Sequence, residues 1–352
     1  MHALAKKRAL LYFGPDITAE RNMTSSFDVA GLGNAIVDVI APVDDAFLLK
    51  HQIAKGVMTL VDEFRASQIY EALNTSTEIG GGSAANSMAG LASLGGNGLF
   101  VGKVKRDRLG ESFSHSMKDI GVTFRVPFAE EGPSTASCMI AVTPDGQRSM
   151  NTYLGACREL KPADIDEKEV ASAQIVYVEG YLWDVPDAKA AIRKAIAAAK
   201  KEGRKIAFTL SDPFCVSRWR DEFRELLKAD IDVLFANEEE AKALFEVEEF
   251  DSVLQATRHW HGVAALTRSA KGCVVAKGSE VHVIDAHPVA KVIDTTGAGD
   301  QYAAAFLYGL THGKHLADCG RLGSLAAAEV ISHYGARPET SLKTLAKSAG
   351  LI

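Results

Sequence analysis

Short apolar runs at 175–179, 205–210, 232–236 and 263–267, each five or six residues long as buried strands are, recur through the second half of the chain with helical stretches between them. The intervening segments 187–201, rich in Ala and Lys, and 238–245 carry helical patterning. Strand–helix–strand units impose a mainly parallel sheet, so the chain is expected to adopt an α/β fold, with an earlier strand at 28–33. The stretches 36–62 and 123–154, the latter with the turn Pro144-Asp145-Gly146, break this rhythm. They read as extended chain without crossover helices, which predicts a small second sheet. Lid segments of about 37–62 and 122–154 would fold over one edge of the main domain, where α/β proteins bind ligands.

With 352 residues and 47% hydrophobic content the chain can bury a large core. A net charge of -6 and an isoelectric point near 6.0 argue against nucleic acid or a membrane surface as partner, since both require a basic field. The cysteines, Cys138, Cys157, Cys215, Cys273 and Cys319, form no CxxC pair, which fits a reducing, cytoplasmic setting. Residues 1–22 hold basic side chains and an apolar patch at 9–13 that is too short for a membrane span and lacks a cleavage site; they read as a dispensable extension, with Met23 a second plausible start. No linker or internal repeat divides residues 23–352, which are expected to form one domain.

The chemistry concentrates at glycines. Asp294-Thr295-Thr296-Gly297-Ala298-Gly299-Asp300 precedes a helical run at 301–310. Small residues there let backbone N–H groups face an anion that the helix dipole also favours, yet Asp300 places a carboxylate in the same spot. Gly80-Gly81-Gly82 precedes another helix, with Ser83 as its expected N-cap and Asn86 one turn on, an amide suited to sugar hydroxyls. Gly31-Leu32-Gly33-Asn34 lacks the third glycine of a dinucleotide fingerprint, and instead opens a strand end where Asn34 and Asp38 are available to a polyhydroxylated ligand. No GxxxxGK[ST] and no protein-kinase signature occurs. Phosphoryl transfer by this chain would need Gly297, Ala298 and Gly299 as the anion hole and Asp300 as the base for an attacking hydroxyl. Taken singly, each residue is also explained as a turn or a cap. Tyr181 and Phe214 follow strands and are placed to stack on a base, although aromatics there also serve a core or its rim. His312 and His315, and the His259-Trp260-His261 cluster, lack a third metal ligand.

Three segments together, Gly81-Gly82-Ser83-Ala84-Ala85-Asn86, Asn237-Glu238-Glu239-Glu240 and 294–300, resemble the signatures of the ribokinase-like (PfkB) family of carbohydrate and nucleoside kinases. The resemblance covers the chain from residue 26 onward, and the run 31–38 is most similar to the adenosine-kinase branch. It implies a three-layer α/β fold with a mainly parallel central sheet and a β-rich lid. It implies ATP-dependent phosphorylation of the 5′-hydroxyl of adenosine, giving AMP and ADP in purine salvage. By the same resemblance Asn34, Asp38, Gly81, Gly82, Ser83 and Asn86 hold the nucleoside, Asp300 activates the hydroxyl and Arg148 reaches the transferred phosphate from the lid. Asn237 and Glu240 would organise Mg²⁺ through water. Thr267, Ser269 and Gly272 would pass the ATP phosphates and ribose, Ser269 standing where many members have glycine, while Ala328 and Ile331 would border the ATP adenine. A monovalent cation such as K⁺ is a further expectation of the family. The rival readings are a kinase of ribose, fructose, inosine or guanosine, and a nucleoside-sensing protein that has lost turnover.

Overall fold

The computed structural model describes residues 26–352, so the expected extension at 1–22 and the start at Met23 lie outside the described residues. In chain order the strands are β1 (Phe27–Leu32), β2 (Ile36–Pro42), β3 (Met58–Leu60), β4 (Thr77–Gly81), β5 (Gly98–Val101), β6 (Thr123–Phe124), β7 (Ala136–Val142), β8 (Arg148–Tyr153), β9 (Ala173–Glu179), β10 (Lys205–Thr209), β11 (Val233–Asn237), β12 (Val263–Thr267), β13 (Cys273–Lys277) and β14 (Glu280–Ile284). The large sheet runs β14-β13-β12-β11-β10-β9-β1-β5-β6. It is parallel from β12 to β6, and only β13 and β14 pair antiparallel at one edge. Parallel strands need crossovers that cover both faces, which is why β5 and nearly all of β9 are buried apolar runs.

The order of strands reverses at β1, which pairs β9 on one side and β5 on the other. A crevice opens at the carboxyl ends of strands at such a switch point. The chain leaves β1 here to build the second sheet, ordered β3-β8-β7-β2-β4. Along β2, Val37, Val39 and Ala41 are buried while Asp38 and Ile40 are only partly so, the alternation of a strand packed on one face. This sheet has a small core of its own, including Leu48, Ile69, Met139 and Tyr153.

Three expectations about this sheet need correction. A helix, Asp45–Lys50, interrupts the stretch expected to be extended; Asp44 caps it by accepting from the Phe47 N–H at 2.7 Å. Thr123–Phe124 pairs with β5 in the large sheet, so the later strands of the second sheet begin at Ala136. The edge strand β4 lies between the two expected lid segments and belongs to the second sheet through its pairing with β2. Local patterning marks a strand, but its partner is chosen by packing across the chain.

The helix Ala298–Thr311 packs against both Leu316–Val330 and Ser83–Ser93. Close approach depends on Gly90, where a Cβ would stand 2.0 Å from Gln301 Oε1 and 2.8 Å from Ala304 Cβ. That contact brings two glycine-led helix N-termini side by side at the crevice.

Candidate active site

Gly297 caps the Ala298–Thr311 helix at φ +78°, and a Cβ there would lie 2.6 Å from the Ala336 Cα. Only glycine meets both demands. Two residues on, a Cβ at Gly299 would meet nothing within 4 Å, so the space beside this helix start is open, while the Ala298 N–H donates to the Thr295 carbonyl at 3.3 Å. This arrangement fits an anion such as a phosphoryl group.

The Asp300 carboxylate lies beside that opening. Its Oδ1 accepts from Ser83 Oγ at 2.6 Å and its Oδ2 from Asn86 Nδ2 at 3.2 Å. Burial pushes the Asp300 carboxyl up to about 6, opposed by these two hydrogen bonds. At neutral pH it is therefore ionised, yet basic enough to take a proton. Ser83 is not the N-cap: Gly82, at φ +97°, occupies that position without a side-chain bond, and a Cβ on it would fall 2.0 Å from the Asn34 carbonyl oxygen. The serine hydroxyl is thereby released to hold Asp300. Asn86, expected to present its amide to a sugar, spends its Nδ2 on Asp300 in this structure.

Across the crevice, Asn34 and Ala84 donate backbone N–H groups to the two oxygens of Glu179, at 2.7 and 2.9 Å. Glu179 ends β9 and is fully buried; burial pushes its carboxyl up to about 7 against those two bonds. Asp38 lies against Gly81, where a Cβ would sit 2.5 Å from its carboxylate. Burial raises Asp38 to about 6; Arg337 and then Arg148 oppose this, and Asp300 adds to it. The Arg148 side chain is 8% exposed, with Nη1 bonded to Asp294 and 3.3 Å from Thr296 Oγ1. The expected reach to a phosphate is replaced here by a tie between the second sheet and the anion loop. Asp294 also accepts from the Thr296 N–H at 3.0 Å and the Gly335 N–H at 3.0 Å.

The residues expected to meet ATP gather at the ends of β11 and β12, whose registers pair Asn237 with Thr267. Asn237 and Glu240 form a capping box: Asn237 N–H and Nδ2 donate to Glu240 at 2.9 and 2.7 Å, and the Glu240 N–H returns to Asn237 Oδ1 at 2.8 Å. Each oxygen of the pair has one donor and keeps a second lone pair, which fits acceptance from a water of a metal's shell. Among the described residues, no group of three His, Cys, Asp or Glu side chains is arranged to hold a metal ion. Ser269 takes φ +51°, the left-handed conformation that glycine adopts most easily, and Gly272 takes φ +78°. Ala328 is buried, and the carbonyl of Ile331 accepts from the Ile293 N–H at 2.8 Å, joining this region to the anion loop. Tyr181 donates its hydroxyl to the Ser211 carbonyl at 3.2 Å, whereas Phe214 is 77% exposed at the start of a helix.

Glu179, Arg337 and the bridging role of Asp294 were not singled out from the sequence. For Glu179 the one local signal is a charge closing an otherwise apolar strand; Arg337 gives none. A cavity of about 860 Å³ lies elsewhere, beside Ser26, Phe27 and Arg125 at the opening end of β1, remote from this chemistry. Among the described residues, no helix is long and apolar enough to cross a membrane.

A model of the pfkB family of carbohydrate kinases matches residues 60–343. Among solved structures, the chain is similar to an adenosine kinase from Sinorhizobium meliloti, with 49% identity, a TM-score of 0.84, and 92% of this chain and 99% of that one covered. It is also similar to a probable sugar kinase protein from Rhizobium etli CFN 42, with 47% identity, a TM-score of 0.86, and 94% and 100% covered. Adenosine kinase 1 of Arabidopsis thaliana is 28% identical over 339 residues, 89% of this chain and 96% of that protein. The large, mostly parallel sheet with its smaller companion matches the ribokinase-like fold of the adenosine kinase neighbours.

Proposed function

Because the chain belongs to the pfkB family of carbohydrate kinases, we propose that this phosphotransferase acts on adenosine, moving the γ-phosphoryl group of ATP to the 5′-hydroxyl to give AMP and ADP. The observation that carries the reading is the Asp300 carboxylate, held by Ser83 and Asn86 directly beside the open helix N-terminus at Gly299. A base and an anion site within one turn of helix suit in-line transfer: the acceptor oxygen bonds to phosphorus, the bond to ADP breaks, and the hydroxyl proton passes to Asp300. The N–H groups at residues 297–299 meet the charge on the phosphoryl oxygens. Mg²⁺, when bound, neutralises phosphate charge; Asn237 and Glu240 would contact it through its waters.

Adenosine as acceptor is supported by the 49% identical kinase of that name and by Asn34 and Asp38 at the crevice. The 47% identical probable sugar kinase keeps a free sugar as the second reading. Both are tested by an acceptor screen following ADP formation with adenosine, inosine, guanosine, ribose and fructose. A clear preference for a free sugar overturns the nucleoside assignment, and binding without turnover would identify a sensor. Asp300→Asn is expected to lower kcat by about 10²–10⁴-fold while leaving nucleoside binding largely intact; near-normal turnover would remove Asp300 as the base.

A further inference from the structure

Three consecutive residues, Gly335, Ala336 and Arg337, each touch a different part of the crevice. The Gly335 N–H donates to Asp294 at 3.0 Å. The Ala336 carbonyl accepts from Gln301 Nε2 at 2.8 Å while its Cα closes against Gly297. Arg337 turns toward the acceptor side, with Nη1 donating to Ser116 Oγ at 2.9 Å, Nη2 3.4 Å from Met117 Sδ, and Nε 3.4 Å from Asn86 Oδ1. Glu329 pins the stretch from behind, accepting from the backbone N–H groups of Glu339 and Thr340 at 3.0 and 2.7 Å. Gly80 leaves room for the guanidinium, since a Cβ there would be 2.8 Å from Nη2.

We propose that Arg337 is a positioning residue for the transfer step, fixing which way the Asn86 amide faces and supplying the positive charge opposite Asp38. This rests on the kinase reading of the crevice. An amide has one accepting oxygen and one donating nitrogen, a guanidinium only donates and a carboxylate only accepts. Asn86 stands between Arg337 and Asp300, so one orientation satisfies both neighbours: Oδ1 toward Arg337, Nδ2 toward Asp300. Flipped, it would set donor against donor and oxygen against oxygen. Asn86 is 5% exposed, so bulk water cannot take over either bond. Arg337 thus reinforces, without touching the base, the orientation in which Asn86 donates to it.

The second effect is electrostatic. Arg337 is the largest influence opposing the rise of the Asp38 carboxyl that burial causes, ahead of Arg148, while Asp300 acts in the other sense. The Cys138 thiol near Asp38 is pushed up to about 12 by burial and stays neutral through the working range. Without Arg337, Asp38 keeps only Arg148 against burial and protonates at higher pH. No carboxylate among the described residues lies within ion-pair distance of Arg337, whose charge acts on Asp38 through space; burial lowers its own value to about 10, opposed by Asp38, leaving it cationic at neutral pH.

The test compares Arg337→Met, Arg337→Lys and Ser116→Ala in steady-state kinetics from pH 5 to 9, with thermal unfolding followed in parallel. The wild type is first screened for its best acceptor; a preference for ribose overturns the adenosine assignment and the comparison proceeds with ribose, whereas no turnover on any acceptor overturns both readings. Arg337→Met is expected to lose about 10–100-fold in kcat through misorientation. It should also raise the acceptor KM while sparing the KM for ATP, and move the acid limb of kcat/KM to higher pH. Arg337→Lys keeps the charge, so its limb should stay near wild type with part of kcat restored. Ser116→Ala, which loosens the guanidinium from the side away from the acceptor, should lower kcat by a smaller factor. Wild-type kinetics and limb in a folded Arg337→Met protein overturn the proposal, as do equal losses in the Met and Lys variants with an unmoved limb, the mark of general damage. If Arg337→Met does not fold, wild-type behaviour of both remaining variants overturns it.

Discussion

Asp38 and Asp300 are both carboxylates raised to about 6 by burial, and the proposed transfer needs each ionised: Asp300 to accept a proton, Asp38 to accept hydrogen bonds from hydroxyls. Repulsion from Asp300 is the smallest of the influences on Asp38, so the two carboxyls titrate in the same range as separate groups. In the free enzyme, kcat/KM for the acceptor should therefore fall below about pH 6 with a limiting slope steeper than one proton. Asp38→Asn removes one of the two groups and is expected to bring the slope to one, at a raised acceptor KM. A pH profile of each protein measures this, and a slope of one in the wild type would mean that a single carboxylate governs the limb. Glu179 belongs to the same scale but acts differently. Its oxygens hold the backbone of Asn34 and Ala84, so it shapes the crevice without facing it.

Two glycines of one helix start make opposite predictions. Gly297→Ala forces an L side chain into φ +78° and against Ala336, so it should lower the unfolding temperature and turnover together. At Gly299 a methyl group enters open space; stability should stay within about 0.5 kcal/mol, while ATP turnover falls because the methyl occupies the anion's place. Thermal unfolding beside an ADP assay separates the two, and equal loss of stability in both variants would contradict an open site at Gly299. The same helix start shows what sequence reading reaches. A string such as 294–300 is legible because its chemistry is local: small residues, then a helix, then an acid. The apolar runs that became β9, β10, β11 and β12 were legible for the same reason, each within one or two residues of its observed bounds. Thr123–Phe124 joined the large sheet, and β4 the second one, because pairing is settled by contacts far along the chain. Ser83 looked like a cap because the residue type fits; the positive φ of Gly82, forced by the Asn34 carbonyl, decided otherwise. Arg337 was invisible because its partners stand some 220 to 250 positions away, at separations of 221 and 251.

The whole molecule carries a buried acidic load at its catalytic face. Asp38 and Asp300 rise from 3.8 to about 6, and Glu179 and Glu240 from 4.5 to about 7, all chiefly through burial. Between those ordinary values and the raised ones, the folded chain binds more protons than the unfolded chain, so stability falls as pH rises through this window. Above about pH 7 the full penalty is present; below about pH 4 it is gone. His333, raised by the Tyr334 carbonyl and Glu329 against its own burial, works in the same sense, since the folded state again holds its proton more tightly. Asp145, lowered to about 2 by Lys55, and Glu238, lowered by Arg268, contribute stability that disappears only as pH falls below their ordinary values. The unfolding temperature of the ligand-free protein should consequently rise as pH is lowered from 8 to about 5.5, then drop below about pH 4. Asp300→Asn removes one raised carboxyl and should be more stable than the wild type at pH 8, with a shallower dependence. A wild-type unfolding temperature that climbs steadily from pH 5 to 8 would contradict the buried load. The same fold that keeps Asp300 basic enough for transfer would then show its effect on stability in the direction linkage requires, with activity and stability pulling apart as pH falls.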